Sequence, residues 1–368
     1  MISTYIIALK IILTTFCLTT PIMTKIKMVI NMNYNKFPSF QVLLTLFLVK
    51  FYINHIIIAP FVYDLYSKTS IIMLCIIYFL QPLELIFINK LFNNKYNPFI
   101  TNKFFIFIYT LIFESLIIFG LASFLNSYIY SVSNISFLMI SILIPLLFLN
   151  NYHYSNIIRL TPFFFLFTIG MLMFFFFTMN DITLFSIFPN KKIDNLFLFI
   201  IIVINITFPY ILFPYFKDLS NSKFKLSSIL ILGIFFSLLN ILLTLRQGIS
   251  LGILITEKAF PLYEVLRFLS ITTYSIPLDI LFITFLFCYS FYVVSVISAY
   301  ILYIFNIKKY MIKNIFSFFP FILAIFFSYN IELFEIIKYD LLVIGAFCLV
   351  YIVISTFISY LRRTKYEK

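Results

Sequence analysis

Glu114 stands near the middle of an unbroken apolar run, Lys103–Leu125, and Lys50 and Glu84 fall inside two neighbouring runs. A charge held at membrane depth is expensive, so it faces the protein interior or water. It marks either a structural ion pair or a path for ligand, proton or water. The spacing predicts Lys50 paired with Glu84 or with Glu114. Such a pair either fixes helix register or lines a polar cavity suited to a zwitterionic ligand. Glu114 lies too deep to reach the surface, which favours the cavity, whereas Gln81 and Pro82 mark a wetter zone that leaves both uses open for Glu84. Lys50 and Asn54 are four residues apart and share one helical face. His55 beside them is either a protonation gate or a hydrogen-bonded interior ring. A second polar group, Asn205 and Thr207, precedes Pro209 and Pro214 in a later run. Lys50, Asn54, His55, Glu114, Asn205 and Thr207 are therefore the candidate ligand-binding residues, with Pro209 as a candidate hinge.

The elements that must position these groups follow from composition. The chain is 63% hydrophobic, 21% aromatic and only 11% charged, with a mean hydropathy of +1.09. A soluble domain could not hide that much apolar surface, so the expectation is an integral membrane protein. Six glycines and no Gly-rich phosphate motif argue against nucleotide binding. The net charge of +13 does not point to nucleic acid, because the basic residues sit in short loops between apolar runs. Cys17, Cys75, Cys288 and Cys348 lie far apart in apolar runs and read as small hydrophobes. His55 and His153 lack a ligand partner at helical spacing, so neither a metal site nor a cofactor is expected. No nucleophile–base set falls at a common depth, which makes an enzyme the weaker class.

Ten core runs are predicted: Phe40–Pro60, Ser70–Phe92, Lys103–Leu125, Ile135–Asn150, Leu160–Thr178, Leu196–Tyr215, Leu226–Leu245, Ile280–Phe305, Ile315–Tyr329 and Tyr339–Leu361. Continuous apolar runs without alternation argue for helices. Asn240 and Arg246, near the end of the seventh run, read as packing and interface anchoring. Loop charge alternates: one set of loops carries Lys25, Lys27, Lys36, Lys90, Lys95, Lys103, Arg159, Lys217, Lys223, Lys225, Lys308, Lys309, Lys313, Arg362, Arg363, Lys365 and Lys368. The opposite loops carry far fewer: Lys68, Lys191, Lys192, Arg246, Lys258, Arg267 and Lys338. The positive-inside bias then places both ends of the ten-run core in the cytoplasm. Residues 1–33 form an N-terminal hydrophobic extension. It is either an extra span or a mis-called start, with Met28 and Met32 as alternative initiators. Residues 34–362 form the transmembrane domain, and 363–368 a cytoplasmic tail.

An even number of runs permits two inverted five-helix halves, with discontinuous first and sixth helices forming a midplane site. Pro60 in the first run and Pro209 with Pro214 in the sixth stand at corresponding positions. Proline disrupts the helix; the plainer alternative is that Pro60 ends a helix and Pro209 and Pro214 kink one.

The stretch Pro261, Tyr263, Glu264, Arg267, Ile271 and then Asp279, ahead of an apolar span, resembles the late signature of the spore germination permeases. These supply the B subunits of nutrient germinant receptors and are related to amino-acid permeases. Gln41 and Pro60 extend the resemblance, which runs diffusely over residues 37–362. Ser275, Ile276 and Pro277 stand where the family carries an acidic–arginine pair, and the chain has no tryptophan. The resemblance implies an all-α fold of the amino-acid/polyamine/organocation permease kind. It implies a B-type subunit in the inner membrane of an endospore that either senses, or both senses and moves, a small nutrient such as an amino acid. A-type and lipoprotein C-type receptor subunits would be its partners. Glu264, Arg267 and Asp279 would serve gating or partner contact, with Glu264 and Arg267 on one face of an interfacial helix between the seventh and eighth runs. The rival readings are a stand-alone amino-acid transporter and a membrane enzyme or lipid-linked sugar flippase.

Overall fold

In a computed structural model, the chain is described over residues 37–66, 69–92, 103–128, 134–151, 154–177, 211–251, 260–265, 278–307 and 310–329, with isolated positions at 255 and between 343 and 358. It divides into two units, Met1–Phe37 and Pro38–Lys368, and of the first only Phe37 is described.

The described part of the second unit is helical: α1 Ser39–Ile53, a π-helical turn Asn54–Ile58, α2 Ala59–Tyr66, α3 Thr69–Phe92, α4 Lys103–Tyr128, α5 Ile135–Asn151, α6 Tyr154–Arg159, α7 Thr161–Phe177, α8 Phe213–Leu219, α9 Leu226–Leu251, α10 Leu278–Ile304 and α11 Tyr310–Tyr329. Five segments are long and apolar enough to cross a membrane: Ser39–Ile58, Lys103–Tyr128, Leu226–Leu251, Phe282–Ile304 and Ile312–Tyr329. Shorter apolar helices cover Ser70–Ile86, Ile135–Leu147 and Ile157–Gly170. This content is compatible with a multi-pass membrane protein. Eight of the ten predicted runs thus coincide with described helices. Most of the sixth and tenth lie outside the described residues.

The first run is not unwound, in contrast to the break expected there. Its helix continues past Pro60 through a widened turn, where the Ala59 N–H reaches back to the Asn54 carbonyl. The reason is steric: a proline ring collides with the carbonyl four residues before it, and a π turn opens the ladder at that point. Glycine is absent from this stretch, so widening takes the place of unwinding.

α1 is the hub. Residues 42–53 are all buried, Lys50 included. α1 packs on α7, α8, α9 and α10, and the π turn packs on α4. α3 packs extensively along α9. Gly233 allows it, since a Cβ there would sit 3.2 Å from the Pro82 Cβ; at Gly248 a Cβ would strike the Ile71 Cδ1. On the other side α4, α5, α10 and α11 pack together. α1 and the π turn therefore lie between an α3–α9 pair and an α4–α5–α10–α11 group.

Candidate functional site

α1 carries two polar stripes. Gln41, Thr45, Leu48 and Tyr52 recur at three- and four-residue steps, so they share a face. That face is tied to its neighbours. Gln41 Nε2 donates to the Ile158 carbonyl at 2.9 Å, Thr45 meets Thr161 at 2.7 Å, and Thr161 meets the Tyr292 hydroxyl at 2.9 Å. The Tyr289 hydroxyl donates to the Leu48 carbonyl at 2.7 Å, and Tyr52 bonds Ser290. All of these polar atoms find partners, so this face is a structural seam.

The opposite side differs. Lys50 Nζ lies 3.6 Å from Glu84 Oε2, with the lysine side chain 1% exposed and the glutamate 21%. The pairing of Lys50 thus goes to Glu84, on α3, rather than to Glu114. Past it, His55 Nε2 sits 2.8 Å from Asn240 Oδ1, and Asn240 Nδ2 donates to Gln81 Oε1 at 3.3 Å. The amide orientation fixes the tautomer: Asn240 offers His55 its oxygen, so Nε2 carries the proton and Nδ1 is left as an acceptor. That Nδ1 has no partner among the described residues. Two turns further, the Tyr63 hydroxyl donates to Gln247 Oε1 at 2.7 Å. Asn240, Thr244 and Gln247 form a buried polar stripe on α9, at steps of four and three.

Asn54 opens the π turn between these groups. It is fully buried, and neither its amide nitrogen nor its amide oxygen has a hydrogen-bond partner among the described residues. Glu114 stands on α4, the helix that packs against the π turn. It is buried; Ser298 on α10 donates to Oε1, while Oε2 has no donor among the described residues. Buried polar atoms are paired in the great majority of cases, so the unpartnered atoms of Asn54 and His55 at this widened turn, with that of Glu114 on the helix packed against it, make these residues the candidate site.

Of the predicted site residues, Lys50 lies on α1, Asn54 and His55 lie in the π turn, and Glu114 lies on α4, the helix that packs against that turn. Asn205, Thr207, Pro209 and Arg267 lie outside the described residues, and Asp279 opens α10 with only its backbone described. Glu264 is not a solvated surface carboxylate. Residues 261–265 make a single helical turn, Glu264 is buried, and the Tyr128 hydroxyl donates to its Oε1 at 2.8 Å. Phe124, Tyr128, Phe260 and Tyr263 pack edge to face around it. Asn240, read from sequence as packing, is instead the centre of the His55–Gln81 link; Gln247, Tyr63 and Ser298 went unpredicted. The α9 polar stripe was the available signal for Asn240 and Gln247. Nothing in the sequence singles out Ser298 among the other serines of α10.

Among the described residues, no three of His, Cys, Asp and Glu gather to hold a metal ion. No model of a known protein family matches the chain. No curated protein is detectably similar to it.

Proposed function

We propose that the chain is a membrane-embedded receptor or carrier for a small zwitterionic nutrient, of the germination-permease kind. The π turn of α1 is its binding centre. The observation that carries this is Asn54: a fully buried amide, with no hydrogen-bond partner among the described residues, at a widened turn of an enclosed helix. An amino acid presents both donors and acceptors at short range. Asn54 supplies both, and Glu114 Oε2 and His55 Nδ1 supply further acceptors toward an ammonium group. Ligand-binding sites in membrane carriers sit at irregular helix segments near the midplane, where freed polar groups face a cavity.

The packing supports a two-repeat architecture. If runs one to five and six to ten are counterparts, then the second pairs with the seventh, the third with the eighth, and the fourth with the ninth. α3 packs on α9, α4 on α10 and α5 on α11, which are those three pairs. Helices near a pseudo-two-fold axis meet their own counterparts in this way.

On this reading the chain is the B-type subunit of a nutrient germinant receptor in the inner spore membrane. It works with A-type and lipoprotein C-type subunits, and its C-terminal tail is cytoplasmic. Ligand binding biases a conformational equilibrium that the partners detect. The test is deletion of the gene in its spore-forming host, followed by germination assays on single amino acids. Loss of response to a particular nutrient, restored by the wild-type gene and not by Asn54→Leu, supports the receptor. Unchanged germination, with uptake of amino acid by the purified protein alone in liposomes, would make it a stand-alone transporter.

A further inference from the structure

The connection from α8 to α9 carries three lysines against one aspartate: Lys217, Lys223 and Lys225 with Asp218. It is a folded turn. The Ser220 N–H donates to the Lys217 carbonyl at 3.2 Å, and the Ser220 hydroxyl donates to the Ser222 carbonyl at 2.6 Å. Phe224 is buried, its ring 5.1 Å from that of Phe213, while Lys223 and Lys225 on either side of it are exposed. Lys217 is half-buried and feels Lys223. Burial first, and the Lys223 ammonium after it, push the Lys217 pKa down, while Asp218 acts the other way. Asp218 is exposed and accepts from the Tyr303 hydroxyl. Two span ends fix the level of this turn. Leu226–Leu251 starts at the residue after Lys225, and Phe282–Ile304 ends at the residue after Tyr303. Net positive charge thus stands where apolar helices end.

α9 adds a second, independent observation. Ile231, Ile234, Leu238 and Leu242 are exposed and recur at steps of three and four, so they form one outward apolar stripe. Ser227, exposed and four residues before Ile231, continues that face toward the lysine turn. From 231 to 242 the stripe rises about 16 Å, close to the roughly 15 Å of hydrocarbon in one leaflet.

We infer that Lys217, Lys223 and Lys225 bind the phosphate of an anionic phospholipid, whose acyl chain lies along Ile231, Ile234, Leu238 and Leu242. Charge complementarity names the class. A phosphodiester with no ammonium of its own offsets the net charge of the turn and the repulsion between Lys217 and Lys223. A zwitterionic headgroup brings a further cation to a turn that already has an excess. The tail separates a lipid from free phosphate, because only a lipid covers the stripe. The site shares no residue with the π turn and does not depend on the solute reading.

The experiment uses the full-length purified protein in detergent micelles. Its thermal midpoint is followed as phosphatidylglycerol or phosphatidylcholine is added, with inorganic phosphate as a third arm. A ligand that binds only the folded state raises the midpoint in a saturable way. The expected result is such a rise with phosphatidylglycerol that neither phosphatidylcholine nor phosphate matches. Lys223→Gln and Lys225→Gln each shift it to about fivefold higher lipid concentration, the loss of one lysine's attraction. Lys313→Gln, near the start of the Ile312–Tyr329 span, leaves it in place. Equal rises with the two lipids would overturn the site. So would a rise matched by inorganic phosphate, which would make the ligand a free anion. An equal shift in Lys313→Gln would overturn it too, because the lipid would then answer to basic charge in general.

Discussion

His55 and Gln81 never touch, yet each is held by the same side chain: Asn240 takes the His55 Nε2 proton on its oxygen at 2.8 Å and gives its own N–H to Gln81 at 3.3 Å. One amide thus joins α9 to both the π turn and α3. Replacing Asn240 with Leu strands a donor on His55 and an acceptor on Gln81 in a buried setting. A loss of about 2 to 4 kcal/mol is expected, on the order of 1–3 for each orphan and less than additive. Asn240→Gln, with the same groups on a longer arm, recovers part of it. Thermal midpoints of the purified variants check this, and a neutral Asn240→Leu would mean that the link is incidental.

Lys50 and Glu84 should behave asymmetrically. Lys50 is enclosed, while Glu84 keeps a fifth of its surface. Glu84→Gln removes the carboxylate charge opposite a buried ammonium and should cost about 3–5 kcal/mol. Lys50→Met leaves a carboxylate that is only partly enclosed and should cost less. The double variant Lys50→Met with Glu84→Leu should regain most of the loss. Folded yield after extraction ranks the three; if Lys50→Met is the worst, the burial assignment is wrong.

The α3–α9 contact predicts a compensating pair. A methyl at Gly248 meets the end of the Ile71 side chain, so Gly248→Ala should destabilise by roughly 1–3 kcal/mol, and Ile71→Val or Ile71→Ala in the same chain should relieve it. At Gly233 the neighbour is the Pro82 ring, which cannot move aside. Gly233→Ala should therefore find no rescue from shortening Ile71.

Tyr128→Phe removes the donor to Glu264 while leaving the ring cluster intact. The expected cost is about 1–3 kcal/mol, because the carboxylate stays buried. A solvated Glu264 would not notice the change. Hydrogen exchange at residues 260–265 should report the loosening directly.

Much of this was legible in the sequence, and the limits have physical causes. Apolar runs gave the helices because lipid leaves the backbone no other way to pair its polar groups. Lys50, Glu84 and Glu114 stood out because charge in such a run is rare. The choice between Glu84 and Glu114 as partner of Lys50 was not legible, since it depends on how α3 and α4 pack around α1. The proline at 60 announced an irregularity; whether the chain would unwind or widen depended on the missing glycine and on the packing of α4 against the turn. Asn240 was discounted because a single amide in an apolar helix looks like packing until its neighbours at 244 and 247 are seen on the same face. Glu264 was expected on an interfacial helix for gating or partner contact, and sequence spacing could not show Tyr128 arriving from another helix to bond it.

The central claim is that Asn54 is left unpaired for a ligand. A residue kept for binding at the expense of the empty protein has a distinctive signature. Asn54→Leu should leave the ligand-free protein as stable as wild type or more so, by up to about 2 kcal/mol, because a buried orphan amide is removed. The same variant should lose binding. The direct measurement is the thermal midpoint of wild type and Asn54→Leu against a panel of the twenty amino acids in sodium chloride. The account predicts that at least one amino acid raises the wild-type midpoint saturably and leaves the variant unmoved, with the variant's ligand-free midpoint no lower than wild type. An amino acid that stabilises both proteins equally, or a panel in which none moves the wild type, would contradict it.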